Sequence, residues 1–141
     1  MIKINAPGYE KLIVWQNSYK LRILIYNISS GFPKIEYRRI TQMRDAARSV
    51  KQNTQEGYKR CSTLEYMRFL NIAQSSLAEL KGDVRDCSDD GLIGQEEFRN
   101  LDSLICKTDY LFNRLIKALK QKVEKKSITP LSPVSPASHE V

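Results

Sequence analysis

The residues of this chain best suited to chemistry are cations. From residue 34 to residue 60 eight lysines and arginines stand against three carboxylates. Arg44, Arg48 and Lys51 fall at i, i+4 and i+7, which puts them on one face of a helix. Arg38 and Arg39 come just before them and Lys59 and Arg60 just after. Cations arrayed in this way displace counterions from a phosphate backbone, giving affinity without base readout and a steep dependence on salt. Tyr37 and Tyr58 flank the cluster, where their rings are expected to stack on exposed bases. Two plainer accounts compete. The charges are a solvated helix surface partly neutralised by Asp45 and Glu56, or they pair with the acidic end of the third helix in another subunit.

Other reactive types are sparse. The only histidine, His139, lies in a Pro/Ser-rich stretch where nothing holds it as a base or a ligand. Asp83, Asp86, Asp89 and Asp90 are dense enough to suggest a divalent cation. Without a histidine or a second carboxylate helix, the expectation is a solvated acidic face. Cys61, Cys87 and Cys106 are odd in number and widely spaced, which argues against a disulfide framework or a zinc cluster and for a reducing compartment. No G-x-x-x-x-G-K-[ST] loop, G-x-G-x-x-G turn, H-E-x-x-H or E-x-x-H motif occurs. The expectation is a chain with no catalytic centre, no metal and no cofactor.

Composition sets the frame around these residues. With 141 residues, 41% of them hydrophobic, the chain is sized for one domain with one core. Its net charge of +7 favours phosphate-bearing or acidic partners. The excess is lopsided: residues 1–60 carry twelve basic and four acidic side chains, the remainder eleven and twelve. The first residues lack the apolar run of a signal peptide, and no stretch approaches the roughly 20 apolar residues of a spanning helix, so a cytoplasmic, non-membrane protein is expected.

Four helices must position the cations. In the first, from about Tyr9 to Ser29, Leu12, Trp15, Tyr19, Ile23 and Tyr26 recur by threes and fours, and Val14, Leu21, Leu24, Ile25 and Ile28 widen the stripe. A four-helix monomer needs one buried stripe per helix, so Val14, Leu21, Leu24 and Ile28 are expected at a subunit interface. Gly31 is placed for a left-handed cap, with Pro33 beyond it. The second helix starts between Ile35 and Thr41, with Thr41 the candidate N-cap, and buries Ile40, Met43, Ala47, Val50, Thr54 and Gly57. Its small residues Ala46, Ala47 and Gly57 invite close approach by a neighbour and make it the central packing element. Ser62 and Glu65 form a capping box ahead of a third helix with Tyr66, Leu70, Ala73, Leu77, Leu80, Val84 and Cys87 inward. That helix ends near Asp90 with Gly91 as cap. The fourth runs from about Gln95 to Lys122 with Phe98, Leu101, Ile105, Thr108, Leu111, Phe112, Leu115 and Leu119 inward. Short connections make consecutive helices antiparallel, so the fold class is an all-α, up-down-up-down four-helix bundle. It spans residues 9–126, between an arm of residues 1–8 and a disordered Pro/Ser-rich tail of residues 127–141.

With these residues in place the chain resembles the four-helix-bundle proteins encoded in intervening sequences of bacterial 23S ribosomal RNA genes. The resemblance covers about residues 9–119. It rests on Leu12-Ile13-Val14-Trp15-Gln16, on Phe32-Pro33 followed by Glu36-Tyr37, and on Gln42, Arg44, Ala46-Ala47 and Ser49. Asn53 with Glu56-Gly57, Phe69-Leu70, Ile72-Ala73, Ser76-Leu77 and Glu79-Leu80 complete it. Arg39-Ile40 stands where the family usually has Gly-Leu, and Ser75 where it has Gly before the Ser-Leu of the third helix. The resemblance implies a bundle assembled as a ring-shaped homo-oligomer, typically a pentamer. The chain is also similar in architecture to the accessory variability proteins of diversity-generating retroelements, basic pentamers that bind nucleic acid and a reverse transcriptase. Trp15, Asn53, Glu56 and Glu79 are accounted for as an aromatic core anchor and interhelical hydrogen-bonding groups. The functional expectation is a basic scaffold for RNA, DNA or a nucleoprotein. Its alternative is a protein-interaction module that docks an acidic partner or a reverse transcriptase.

Overall fold

Ser62 opens the third helix through its side chain, whose hydroxyl accepts a hydrogen bond from the Glu65 amide at 3.3 Å. The computed structural model describes residues 8–128, and most of the expected arm and tail lies outside them. A 3₁₀ turn at Gly8–Lys11 precedes α1 (Ile13–Ser29), and another at Lys34–Glu36 leads into α2 (Tyr37–Tyr58). Then come α3 (Thr63–Asp89) and α4 (Gln95–Ile128), the latter longer than its apolar pattern alone suggests. Gly91, at φ 75°, closes α3. The Leu92 amide reaches the Cys87 carbonyl at 2.9 Å and the Gly91 amide that of Ser88 at 3.1 Å, the paired bonds of a left-handed cap. Glu97 starts α4 by accepting from the Gly94 amide at 3.1 Å.

Each helix touches its two neighbours in a closed square: α1 with α2, α2 with α3, α3 with α4, and α4 with α1. Pairings run in opposite senses. Trp15 meets Gln55 while Tyr26 and Ser29 meet Arg44. Ser49 meets Ser76 while Arg39 meets Asp90, and Gln74 meets Asn113 while Lys81 meets Cys106. The chain is therefore an antiparallel up-down-up-down four-helix bundle, and among the described residues there is no strand.

The core follows the expected lines in three of the four helices. Leu70, Ala73, Leu77, Leu80, Val84 and Cys87 of α3 are buried, as are Met43, Ala46, Ala47, Val50, Thr54 and Gly57 of α2. Leu101, Ile105, Thr108 and Phe112 of α4 join them. The first helix differs. Its buried line is Val14, Ser18, Leu21, Ile25 and Ser29, whereas Tyr19 and Tyr26 are 41% and 50% exposed. Two serines can sit inside because each satisfies its own hydroxyl: Ser18 donates to the Val14 carbonyl at 2.6 Å and Ser29 to that of Tyr26 at 3.2 Å. Val14 and Leu21, expected at a subunit interface, thus belong to the core of the single chain. The stripe of α1 is broad because both α2 and α4 pack on it. Leu24 and Ile28 are half-buried against that core.

Two local expectations also change. Gly31 is not left-handed, and α1 ends instead in tight bonds from Gly31 to Ile28 and from Phe32 to Ser29, which carry the buried Phe32 inward. Thr41 lies inside α2, whose cap position is Glu36, with no side-chain bond.

Gly57 marks the tightest approach of α2 to α3. A Cβ there would lie 2.8 Å from Cβ of Phe69 and 3.2 Å from the Tyr66 carbonyl, neither of which yields easily. Gly57→Ala is expected to cost about 1–3 kcal/mol by overpacking. Gly82, exposed on α3 with nothing within 4 Å, behaves oppositely. Gly82→Ala should gain about 0.5–1 kcal/mol from the greater helix preference of alanine. Urea unfolding of the two variants reads both signs.

Candidate nucleic-acid interface

The seven cations expected to form one site divide between the two borders of α2. On the α3 side, Arg39 is held by Glu36 at 3.1 Å and Asp90 at 2.8 Å. Its hydrogen bond to Asp90 keeps the guanidinium firmly charged. Arg60 lies 3.7 Å from Glu56 and 4.8 Å above the ring of Phe69. Arg38 is exposed, rests 5.9 Å from the Tyr37 ring and lines a shallow groove with Asp45 and Glu79. These three sit among carboxylates and aromatic rings of α2 and α3.

Arg44, Arg48 and Lys51 lie on the border shared with α1, and Lys59 faces the 3₁₀ turn that precedes it. Arg44 closes the end of that helix: it donates to Ser29 Oγ at 2.9 Å, to the Tyr26 carbonyl at 3.3 Å and to Ser30 Oγ at 3.1 Å, with its guanidinium 3.8 Å from the Tyr26 ring centroid. A cation at a helix C-terminus opposes the negative end of the dipole, so Arg44 has structural work. Lys51 is half-buried and donates to Gln52 and Gln55. Burial, then the like charges of Arg22 and Arg48, push its ammonium below the ordinary lysine range. Among the described residues none of Arg22, Arg44, Arg48, Lys51 or Lys59 joins an ion pair.

The aromatic residues on this border were expected in the core. Trp15 lies between Tyr9, at 5.5 Å between centroids, and Tyr19, stacked at 5.3 Å with planes 15° apart. Its indole N–H donates to Gln55 Oε1 at 2.8 Å, the same oxygen that accepts from Lys51 at 3.1 Å. Lys59 stands 5.8 Å from the Tyr9 ring. In the sequence Arg22 was not singled out, and the aromatic line of α1 was assigned to the core instead of to this border. Spacing alone held the clue: Trp15, Tyr19, Arg22 and Tyr26 fall at i, i+4, i+7 and i+11, with a charge in the middle of an apolar row. Tyr37 and Tyr58, expected as stacking residues, do not join this row of rings. Tyr37 sits under Arg38, and Tyr58 meets Tyr66 edge-on at 6.1 Å.

The acidic stretch of α3 is not wholly solvated. Asp86, Asp89 and Asp90 are exposed, but Asp83 turns into the groove beside α2. There Gln42 donates to its Oδ1 at 3.3 Å, while Oδ2 is buried without a partner. Burial, reinforced by Glu79 and Asp86, raises its carboxyl above the usual range. Among the described residues no group of three or more His, Cys, Asp or Glu is placed to hold a metal ion, and no helix is long and apolar enough to cross a membrane.

A sequence model of the family described as 23S rRNA-intervening sequence protein matches residues 10–114. Comparison with curated proteins finds no match. Among solved structures, the bundle is similar to a protein of unknown function from the S23 ribosomal protein family of Bacteroides thetaiotaomicron. The two are 19% identical, the match covers 74% of this chain and 99% of that one, and the TM-score is 0.71. At that identity the likeness concerns the fold.

Burial and like charges both disfavour the charged form of Lys51. Its folded pKa is lowered, so at neutral pH, where it is protonated in both states, the charge disfavours folding. The penalty fades as pH rises through the ordinary lysine range, where both states lose the proton. Lys51→Met should raise the urea midpoint at pH 7 and lose that advantage above pH ~10.5. A lowered midpoint at pH 7 would mean that the bonds to Gln52 and Gln55 outweigh the repulsion.

Proposed function

Since this chain belongs to the 23S rRNA-intervening sequence protein family, a membership that fixes a bundle and no activity, we propose that it is a non-catalytic, homo-oligomeric scaffold that binds an RNA or DNA backbone along the α1–α2 border. One observation carries the reading. Lys51 is half-buried with the like charges of Arg22 and Arg48 nearby, so that burial first and then those charges lower its pKa, and none of the three joins an ion pair among the described residues. Arg39 and Arg60, on the other border, each have a carboxylate partner. Phosphates would supply the missing counter-charge, and each cation engaged would release counterions. Gln55 supports the arrangement by fixing both the Trp15 indole and the Lys51 ammonium.

The net charge of +7 agrees with such a ligand. Assembly as a ring of five, which the resemblance implies, would repeat the cationic border around the ring and multiply weak contacts.

Fluorescence anisotropy of labelled RNA and DNA oligonucleotides at several salt concentrations tests the proposal. The wild-type protein should bind, with affinity falling steeply as salt rises. Changing Arg22, Arg48 and Lys51 together to Gln should flatten the slope of log K against log salt by about two for single strands, near 0.7 per lost contact. No binding at low salt, or an unaltered slope in the triple variant, would reject it in favour of a face that docks an acidic protein.

A further inference from the structure

The α1–α2 border carries rings as well as charges, and they are not equivalent. The buried line of α1 runs through Val14, Ser18, Leu21 and Ile25, so Trp15 and Tyr19 lie off the core rather than in it. Trp15 already has two ring partners, Tyr9 tilted by 59° and Tyr19 stacked with planes 15° apart. Tyr26 is covered by the Arg44 guanidinium at 3.8 Å. Tyr19 ends the row. It is 41% exposed, and Trp15 is its one ring partner among the described residues. Its underside is held at a fixed angle, because Trp15 is pinned to α2 through Gln55.

Resting on the nucleic-acid reading above, we propose that the outer face of Tyr19 is a stacking platform for an unpaired base, and that the ligand is a single strand whose phosphates lie on Arg22, Arg48 and Lys51. Arg22 follows Tyr19 by three residues, about 4.5 Å along the axis. That places a cation beside the ring at the scale of one nucleotide. Lys51 and Arg48 stand on the α2 side of the same border, and the charges of both Arg22 and Arg48 act on Lys51. A duplex cannot use the platform. Its bases present edges in the grooves and keep their faces stacked on one another, whereas an unpaired base has a free face. Stacking reads no hydrogen-bonding pattern, so little base preference is expected.

The test uses the full chain with oligonucleotides carrying 2-aminopurine, whose emission falls when it stacks. Wild type and Tyr19→Phe should quench the probe in a single strand and not in a duplex. Tyr19→Ala should abolish quenching and weaken single-strand binding by about 5- to 150-fold, the range for loss of one stacked base, with the salt slope unchanged. Tyr19→Leu keeps an apolar contact for Trp15, so loss of quenching there, with thermal unfolding as in wild type, separates the platform from a packing role. Tyr19→Ala that binds and quenches as wild type overturns this inference while the cation triple variant still tests the backbone reading. Equal binding of duplex and single strand also overturns it. Failure of the wild-type chain to bind any oligonucleotide removes both.

Discussion

The close approach of α2 to α3 is the constraint from which the rest of the molecule follows. Ala46, Ala47 and Gly57 let the two backbones draw together, and Ser49 and Ser76 join across the seam at 2.7 Å. Gly57 has no room for a methyl group against Phe69 and Tyr66. With α2 pressed onto α3, its polar residues are sorted onto two borders. One faces the acidic stretch of α3, where Gln42 meets Asp83 and Arg39 meets Asp90. The other faces α1, which has no acidic residue at all between Ile13 and Ser29.

This sorting explains why similar residues have different work. Arg39 and Arg60 are ion-paired, Arg60 also over the Phe69 ring, and they tie helices or turns together. Arg44 closes the end of α1. Arg22, Arg48 and Lys51 join no ion pair among the described residues, and they crowd one another. Exposed ion pairs contribute little to stability, so a missing one says little by itself. A half-buried ammonium beside two guanidinium groups is a different matter, because its charge is disfavoured by desolvation as well as repulsion. Such local conflicts with stability concentrate at functional sites.

Much of this fold was legible in the residues. The sevenfold rhythm of α3, from Tyr66 to Cys87, has no competing apolar face, and the Ser62 and Gly91 caps bracket it. The first helix misleads because hydrophobicity and burial part company there. Ser18 and Ser29 look polar yet hide by bonding to their own helix, whereas Trp15, Tyr19 and Tyr26 look like core and sit on the border. Choosing between two faces of a helix that is apolar almost all round requires knowing which neighbours it has. The site was legible on α2, where three cations share a face. It was hidden on α1, where Arg22 stands alone and acquires meaning only when Lys51 arrives beside it. The division of Arg39 and Arg60 from Arg48 is likewise a matter of which helix lies opposite.

Lys51 is half-buried beside like charges, a state that a phosphate backbone would relieve, and its ammonium can be followed directly. Lys51 should be titrated by heteronuclear NMR in the free protein and in the presence of saturating oligonucleotide. Its pKa is predicted to lie below that of the exposed lysines in the free protein and to climb toward or past them when the oligonucleotide binds. An ordinary value in the free protein, or a depressed one that saturation leaves unmoved, would contradict the claim.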